Sequence, residues 1–360
     1  VTATPTAFAA LREDGSVVTW GDPEAGGDSG AAQGELRQVQ ALTASHGAFA
    51  ALREDGQVAA WGDPLYGGDA RSVQEQLRDI IKIDSNVSAF AALRQDGEVI
   101  CWGNPVDGGD GASVEGELKD VSEIVPACHA FAALRADRSV VAWGSRFYGA
   151  DLRTDSRQIE DVQLVQASGN AFAAITSPGG VVTWGCPQAG GSSEHVQPWL
   201  TNVYSLQGTD AAFAALREDG RVVTWGAERY GGDSSSVSQH LPEVRELQAT
   251  VGAFAALLAD SKVLTWGQAS YGGDCAEVQD QLYDIHQVSA NQAAFAALRT
   301  DGRVLTWGDG RYGGDSSGVQ ELLEEVCRVV AAGRSFAAVR LDGRVVTWGL
   351  VGSALLAKEG

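Results

Sequence analysis

The sequence repeats itself every 41 residues. Trp-Gly stands at 20, 61, 102, 143, 184, 225, 266, 307 and 348, and a Phe precedes each Trp by twelve positions, so nine copies of one unit fill residues 1–360 as a single array without insertion or deletion. A fixed period of this size marks a propeller, solenoid or repeat array. Such a unit is one supersecondary element, and it buries its apolar face only by stacking on its neighbours.

Each unit reads in the same order. An apolar segment with paired positions comes first, as in Ile80/Ile83, Val121/Ile124 or Val203/Leu206. Two short runs follow, such as Ala212-Phe-Ala-Ala-Leu216 and Val222-Val-Thr-Trp-Gly226, with Asp219-Gly220 between them. Runs rich in aromatic and β-branched residues on either side of Asp-Gly read as a β-hairpin, because glycine tolerates the positive φ such a turn needs. A Gly-rich corner comes next, as in Tyr230-Gly-Gly-Asp233. The stretch beyond it is expected to form a helix of about two turns: Val73/Leu77, Val114/Leu118, Val278/Leu282 and Val319/Leu323 lie four apart, and Ser72/Glu75 and Ser317/Gln320 have capping-box spacing. The expected fold is all-β, a β-propeller of nine blades, each of three short strands plus a short connecting helix. An open propeller-like spiral or solenoid is the alternative.

Charge narrows the partners. Lys and Arg number 26 against 47 Asp and Glu, a net charge of −21. That balance repels phosphate backbones, so no nucleic-acid partner is expected by charge, whereas a protein partner, a basic one included, is compatible with it. The apolar runs fall far short of the ~20 residues of a membrane span. The chain contains no Met, not even at position 1, which reads as a processed product or a segment of a longer polypeptide.

Chemistry has little foothold. Cys101, Cys128, Cys186, Cys275 and Cys327 fall at different points of the repeat, an odd number without Cys-x-x-Cys spacing. Neither a disulfide framework nor a zinc site is indicated, and a reducing compartment, cytoplasm or nucleus, is favoured. His46, His129, His195, His240 and His286 are scattered too. No nucleophile elbow, phosphate loop or His-Glu-x-x-His is present. The expectation is no catalytic residue, no metal, no cofactor and no enzymatic activity. The Asp of each Gly-Gly-Asp corner reads as a helix N-cap rather than a calcium ligand, since one carboxylate per unit cannot gather six oxygens. The repeating Trp residues read as blade core.

The units resemble the regulator of chromosome condensation repeat family. The ninth copy carries the likeness best: Val329-Val-Ala-Ala-Gly333-Arg-Ser-Phe336-Ala-Ala-Val339-Arg-Leu-Asp-Gly343-Arg-Val-Val-Thr-Trp348-Gly349. The family's His before the second strand is absent, its Gly-Gln-Leu-Gly corner is here Gly-Gly-Asp-Ser, and the unit is a compact-blade variant similar to the propeller-type β-lactamase inhibitors. The resemblance implies four functions: a non-enzymatic protein-binding scaffold, a guanine-nucleotide exchange factor for a small GTPase, a substrate-recruiting segment of a large HECT ubiquitin ligase, or a propeller-type enzyme inhibitor. The scaffold is favoured, because the strict period leaves no insertion for an exchange wedge or a catalytic loop.

Function is then expected where copies differ. The fourth replaces Asp-Gly by Asp137-Arg138 and carries Arg146, Phe147, Tyr148, Arg153 and Arg157, while the fifth carries Trp199. Arg and aromatic residues are the types enriched in interface hot spots. These six form the candidate protein-binding site.

Overall fold

The computed structural model describes residues 1–152, 159–237, 241 and 243–350. They form nine three-stranded antiparallel sheets that follow one another in chain order. The second blade pairs Val39–Ala44, Ala48–Arg53 and Val58–Gly62, and the third pairs Ile80–Ser85, Ala89–Arg94 and Val99–Gly103. Packing groups the chain into two compact units, Val1–Ser177 with Val182–Pro187, and Pro178–Val181 with Gln188–Gly360.

The Asp-Gly pair turns the chain as expected. In the second blade Gly56 N–H donates to Arg53 O at 3.0 Å with φ +75°, and Asp55 Oδ1 accepts from Gln57 N–H at 3.1 Å. Gly56 supplies the left-handed residue of the turn, so this is a β-turn closed by a Gly bulge. The first strand explains a spacing that fits no regular strand. Ile80 pairs with Arg94 and Lys82 with Leu93, so a bulge at Ile81 lets Ile80 and Ile83, three apart, both turn inward.

The core of each blade is a stacked Phe–Trp pair. Phe49 and Trp61 lie 5.3 Å apart between ring centroids at 17°, and both are buried. The Gly corner of the preceding unit closes over them. Trp61 Nε1–H donates to Gly26 O at 3.0 Å, and a Cβ on Gly26 would stand 2.6 Å from the Phe49 ring. The same indole-to-glycine bond recurs at Trp102, Trp143, Trp225, Trp266, Trp307 and Trp348. Trp20 stacks on Phe8 but is 43% exposed, with no Gly corner over it among the described residues.

The connecting helix is not an α-helix. Among the described residues the stretch after Gly-Gly-Asp forms turns and single 3-10 turns, such as Gly30–Gly34, Gln279–Gln281 and Gln320–Leu322. The segment is too short to offset helix nucleation. Its polar side chains also bond elsewhere: Gln74 Nε2–H donates to Val58 O at 2.9 Å and Gln320 Nε2–H to Val304 O at 3.1 Å, covering the free edge of the third strand. The capping boxes accordingly do not form. The corner Asp does cap, however. Asp69 Oδ1 accepts from Arg71 N–H at 3.0 Å and Asp315 Oδ1 from Ser317 N–H at 2.9 Å.

A belt of backbone bonds ties neighbouring blades together at one end. His46 N–H donates to Val87 O, Val87 N–H to Cys128 O and Cys128 N–H to Gly169 O, at 2.9, 3.2 and 2.7 Å. Asp210, Val251 and Gln292 do the same within the second compact unit. The scaffold is thus held both by core stacking and by a polar ladder.

Candidate functional site

Each of the first eight third strands ends in Trp-Gly and passes into a 3-10 turn whose middle residue is exposed. In the second blade this turn is Pro64–Tyr66. Asp63 Oδ1 caps it by accepting from Leu65 N–H at 2.8 Å, Pro sits in its first turn, and Gly67 N–H closes it on Pro64 O at 3.2 Å. Gly68 follows at a close approach: a Cβ there would lie 2.2 Å from Gly62 O.

The fourth blade builds the same turn, Arg146–Tyr148, from different residues. Ser145 makes no side-chain cap, Arg146 replaces Pro, and Ala150 stands where the second blade has Gly68. Ala150 N–H reaches Ser145 O at 3.2 Å, against 2.8 Å for Gly68 N–H to Asp63 O. The buried indole N–H of Trp184, which by repeat would donate to Gly149 O, has no hydrogen-bond partner among the described residues. The extra methyl of Ala150 accounts for this looser corner. A cleft of about 230 Å³ lies beside it, lined in part by Glu117, Val140, Trp143, Arg146 and Asp151.

Phe147 is 84% exposed at the tip, and Arg146 is exposed next to it. Tyr148 points the other way and is half-buried. Its ring packs on His129 at 5.0 Å, and His129 Nδ1 lies 3.2 Å from Asp107 Oδ1. Ser88 Oγ–H donates to Asp107 Oδ2 at 2.6 Å, so this chain of contacts joins the third corner to the fourth. Arg146, Phe147 and Tyr148 therefore share one turn, in which Tyr148 anchors and the other two project. Trp199 is 56% exposed on the turn Gln197–Trp199, within the second compact unit, where Arg217 Nη1–H donates to its carbonyl at 3.0 Å. Arg153 and Arg157 lie outside the described residues, as does the chain from 351 to 360.

Sequence reasoning missed two residues at this position. Leu65 and Val106 occupy the tips of the second and third corners and are 74% and 68% exposed. The signal was available: aligning the copies at one column gives Glu24, Leu65, Val106, Phe147, Gln188, Arg229, Ser270 and Arg311.

The remaining reactive groups are structural in setting. Burial pushes the Cys101 thiol up to about 12 and raises that of Cys275. Among the described residues no three metal-ligating side chains gather. Among the described residues no helix is long and apolar enough to cross a membrane.

Blades of three strands, stacked through a Phe–Trp core and repeated nine times, define a propeller-type repeat protein. The model of the regulator of chromosome condensation (RCC1) repeat matches residues 285–313, and the other units repeat the pattern of that segment every 41 residues. The match falls on the eighth unit rather than the ninth. The eighth continues into a complete Gly corner at Gly313-Gly314, whereas the ninth has Ala354-Leu355 at that point. No curated protein matches the chain. Among solved structures, the chain is similar to Prp20p from Saccharomyces cerevisiae, a protein studied for its binding to Gsp1p and histones, at 14% identity over 68% of this chain and 77% of that one, with a TM-score of 0.42. The ectodomain of the receptor kinase CR4 from Physcomitrella patens is similar at 18% identity, 72% and 70% coverage and a TM-score of 0.40. The computationally designed protein Ika8 is similar at 16% identity, 87% and 96% coverage and a TM-score of 0.39.

Proposed function

We propose that the chain is a non-enzymatic protein-binding scaffold, with the fourth corner as its preferred contact. One observation carries the reading: a Phe 84% exposed beside an exposed Arg, held on a turn whose base is fixed by Tyr148, His129 and Asp107. An aromatic side chain held in water by a rigid frame gives up little conformational freedom on binding, and it supplies the large buried area of a hot spot. The blades fix the geometry, and the variable corner supplies the chemistry. Trp199 is a second anchor on the same reasoning.

The test is a display selection of unbiased random peptides against the folded chain. Binders are expected, and the variant Arg146→Ala/Phe147→Ala/Trp199→Ala should weaken them about tenfold while thermal unfolding stays in place. Failure to select any binder, or an affinity unaltered in the variant, would contradict the assignment.

A further inference from the structure

We infer that the tips of the second, third and fourth corners form one apolar track that seats a peptide segment with apolar anchors and a basic end. The inference rests on the protein-binding reading and specifies the partner. Leu65, Val106 and Phe147 are the same position of three successive blades, at 74%, 68% and 84% exposure. Large apolar side chains scattered singly on a surface need no explanation, but three in register do. The corners that carry them are in contact. A Cβ on Gly103 would stand 3.3 Å from Gly67 Cα, which joins the second corner to the third, and Asp107, His129 and Tyr148 join the third to the fourth. None of the three side chains contributes to the blade core, since the Phe–Trp stacks beneath are complete without them.

Charge selects the occupant. The column position that precedes Leu65 is the exposed Glu24, with exposed Asp22 beside it and Asp63 in the next corner. Arg146 marks the other end. The track thus runs from an acidic end, over apolar tips, to a single basic residue. A segment whose Lys or Arg residues lie at one end and whose apolar residues follow matches both features, and the net charge of −21 steers such a segment towards the chain. In the second compact unit the same column reads Gln188, Arg229, Ser270 and Arg311, which offers neither apolar anchors nor an acidic end.

The experiment uses two biased display libraries of short peptides on the folded chain, one combining Lys and Arg with Leu, Val and Phe, the other combining Asp and Glu with the same apolar residues. The basic library should yield binders and the acidic one should not. Leu65→Ser/Val106→Ser should weaken the basic binders about tenfold, and Glu24→Lys, which leaves the Asp22 cap in place, should weaken them and flatten their salt dependence. Unchanged thermal unfolding of both variants confirms that the fold is kept. Equal yields from the two libraries, or binders indifferent to Leu65→Ser/Val106→Ser, would overturn the track. If those binders still respond to Arg146→Ala/Phe147→Ala/Trp199→Ala, the scaffold reading survives while the track does not.

Discussion

The corners of the second and fourth blades have the same length, the same backbone course and opposite priorities. In the second, Asp63, Pro64 and Gly68 each satisfy a local demand: a cap, a preset φ and a close approach to Gly62. In the fourth, Ser145, Arg146 and Ala150 satisfy none of them, and the hydrogen bonds that close the corner lengthen or vanish. The frame around the fourth corner holds regardless, because the Phe172–Trp184 stack and the belt at Cys128 and Gly169 do not pass through it. A repeat array can therefore give up the optimum at one corner without losing the blade, since stability is summed over units and interfaces. The residue that gains is Arg146, an exposed guanidinium where the second corner keeps Pro64.

The comparison can be broken by moving its residues across. The largest effect belongs to Gly68→Ala, which imposes the methyl of the fourth corner on the second. The added Cβ would meet Gly62 O at 2.2 Å, so a loss of about 3 kcal/mol is expected in urea unfolding, within the usual range for overpacking. A change below about 0.5 kcal/mol would mean that these corners do not depend on the close approach. The reverse exchange, Ala150→Gly, should restore the bond from Trp184 Nε1–H to Gly149 O and stabilise by about 1 kcal/mol, the net worth of one buried hydrogen bond. Slower exchange of the Trp184 indole proton by NMR would register it.

A third exchange sharpens the contrast at the hairpin. Arg138 holds φ +66° where the second blade has Gly56 at +75°. Relief of left-handed strain in Arg138→Gly should stabilise the fourth blade by about 1 kcal/mol. The smallest effect concerns the acid side. Asp69, held at a pKa of about 2 chiefly by its hydrogen bond to Arg71, has its folded value below the unfolded one. Its contribution is therefore present above pH 4 and lost as the pH falls towards 2. The pair is largely solvated, so Asp69→Asn should lower neutral-pH stability by no more than about 0.5 kcal/mol, and by progressively less as the pH falls through 2.

Much of this was legible in the sequence, and for physical reasons. The 41-residue period, the hairpin at Asp-Gly and the Phe–Trp core follow from patterns that only one kind of blade satisfies. The connection was misread because Val73 and Leu77 have helical spacing, while the bond from Gln74 to Val58 O, which draws that side chain onto the sheet edge, leaves no trace in local periodicity. The left-handed residues before the first strands of the second to ninth blades, mostly Asp or Asn such as Asp79, Asn202 and Asp284, were equally silent. Asp and Asn accept that conformation without the glycine that would have announced it. At the candidate site, Arg146 and Phe147 stood out by breaking the repeat. Leu65 and Val106 did not, because an apolar residue in a Gly-rich corner reads as core until its exposure is known.

The central claim is that the corner tips of the second to fourth blades carry the binding surface. Hydrogen exchange on the full chain, with and without a basic–apolar peptide from the selection, tests it most directly. The account predicts slowed exchange at the backbone amides of 65–67, 106–108 and 147–149, with the first-to-second-strand belt unchanged. Protection confined to other segments, with those three corners exchanging as in the free chain, would contradict it.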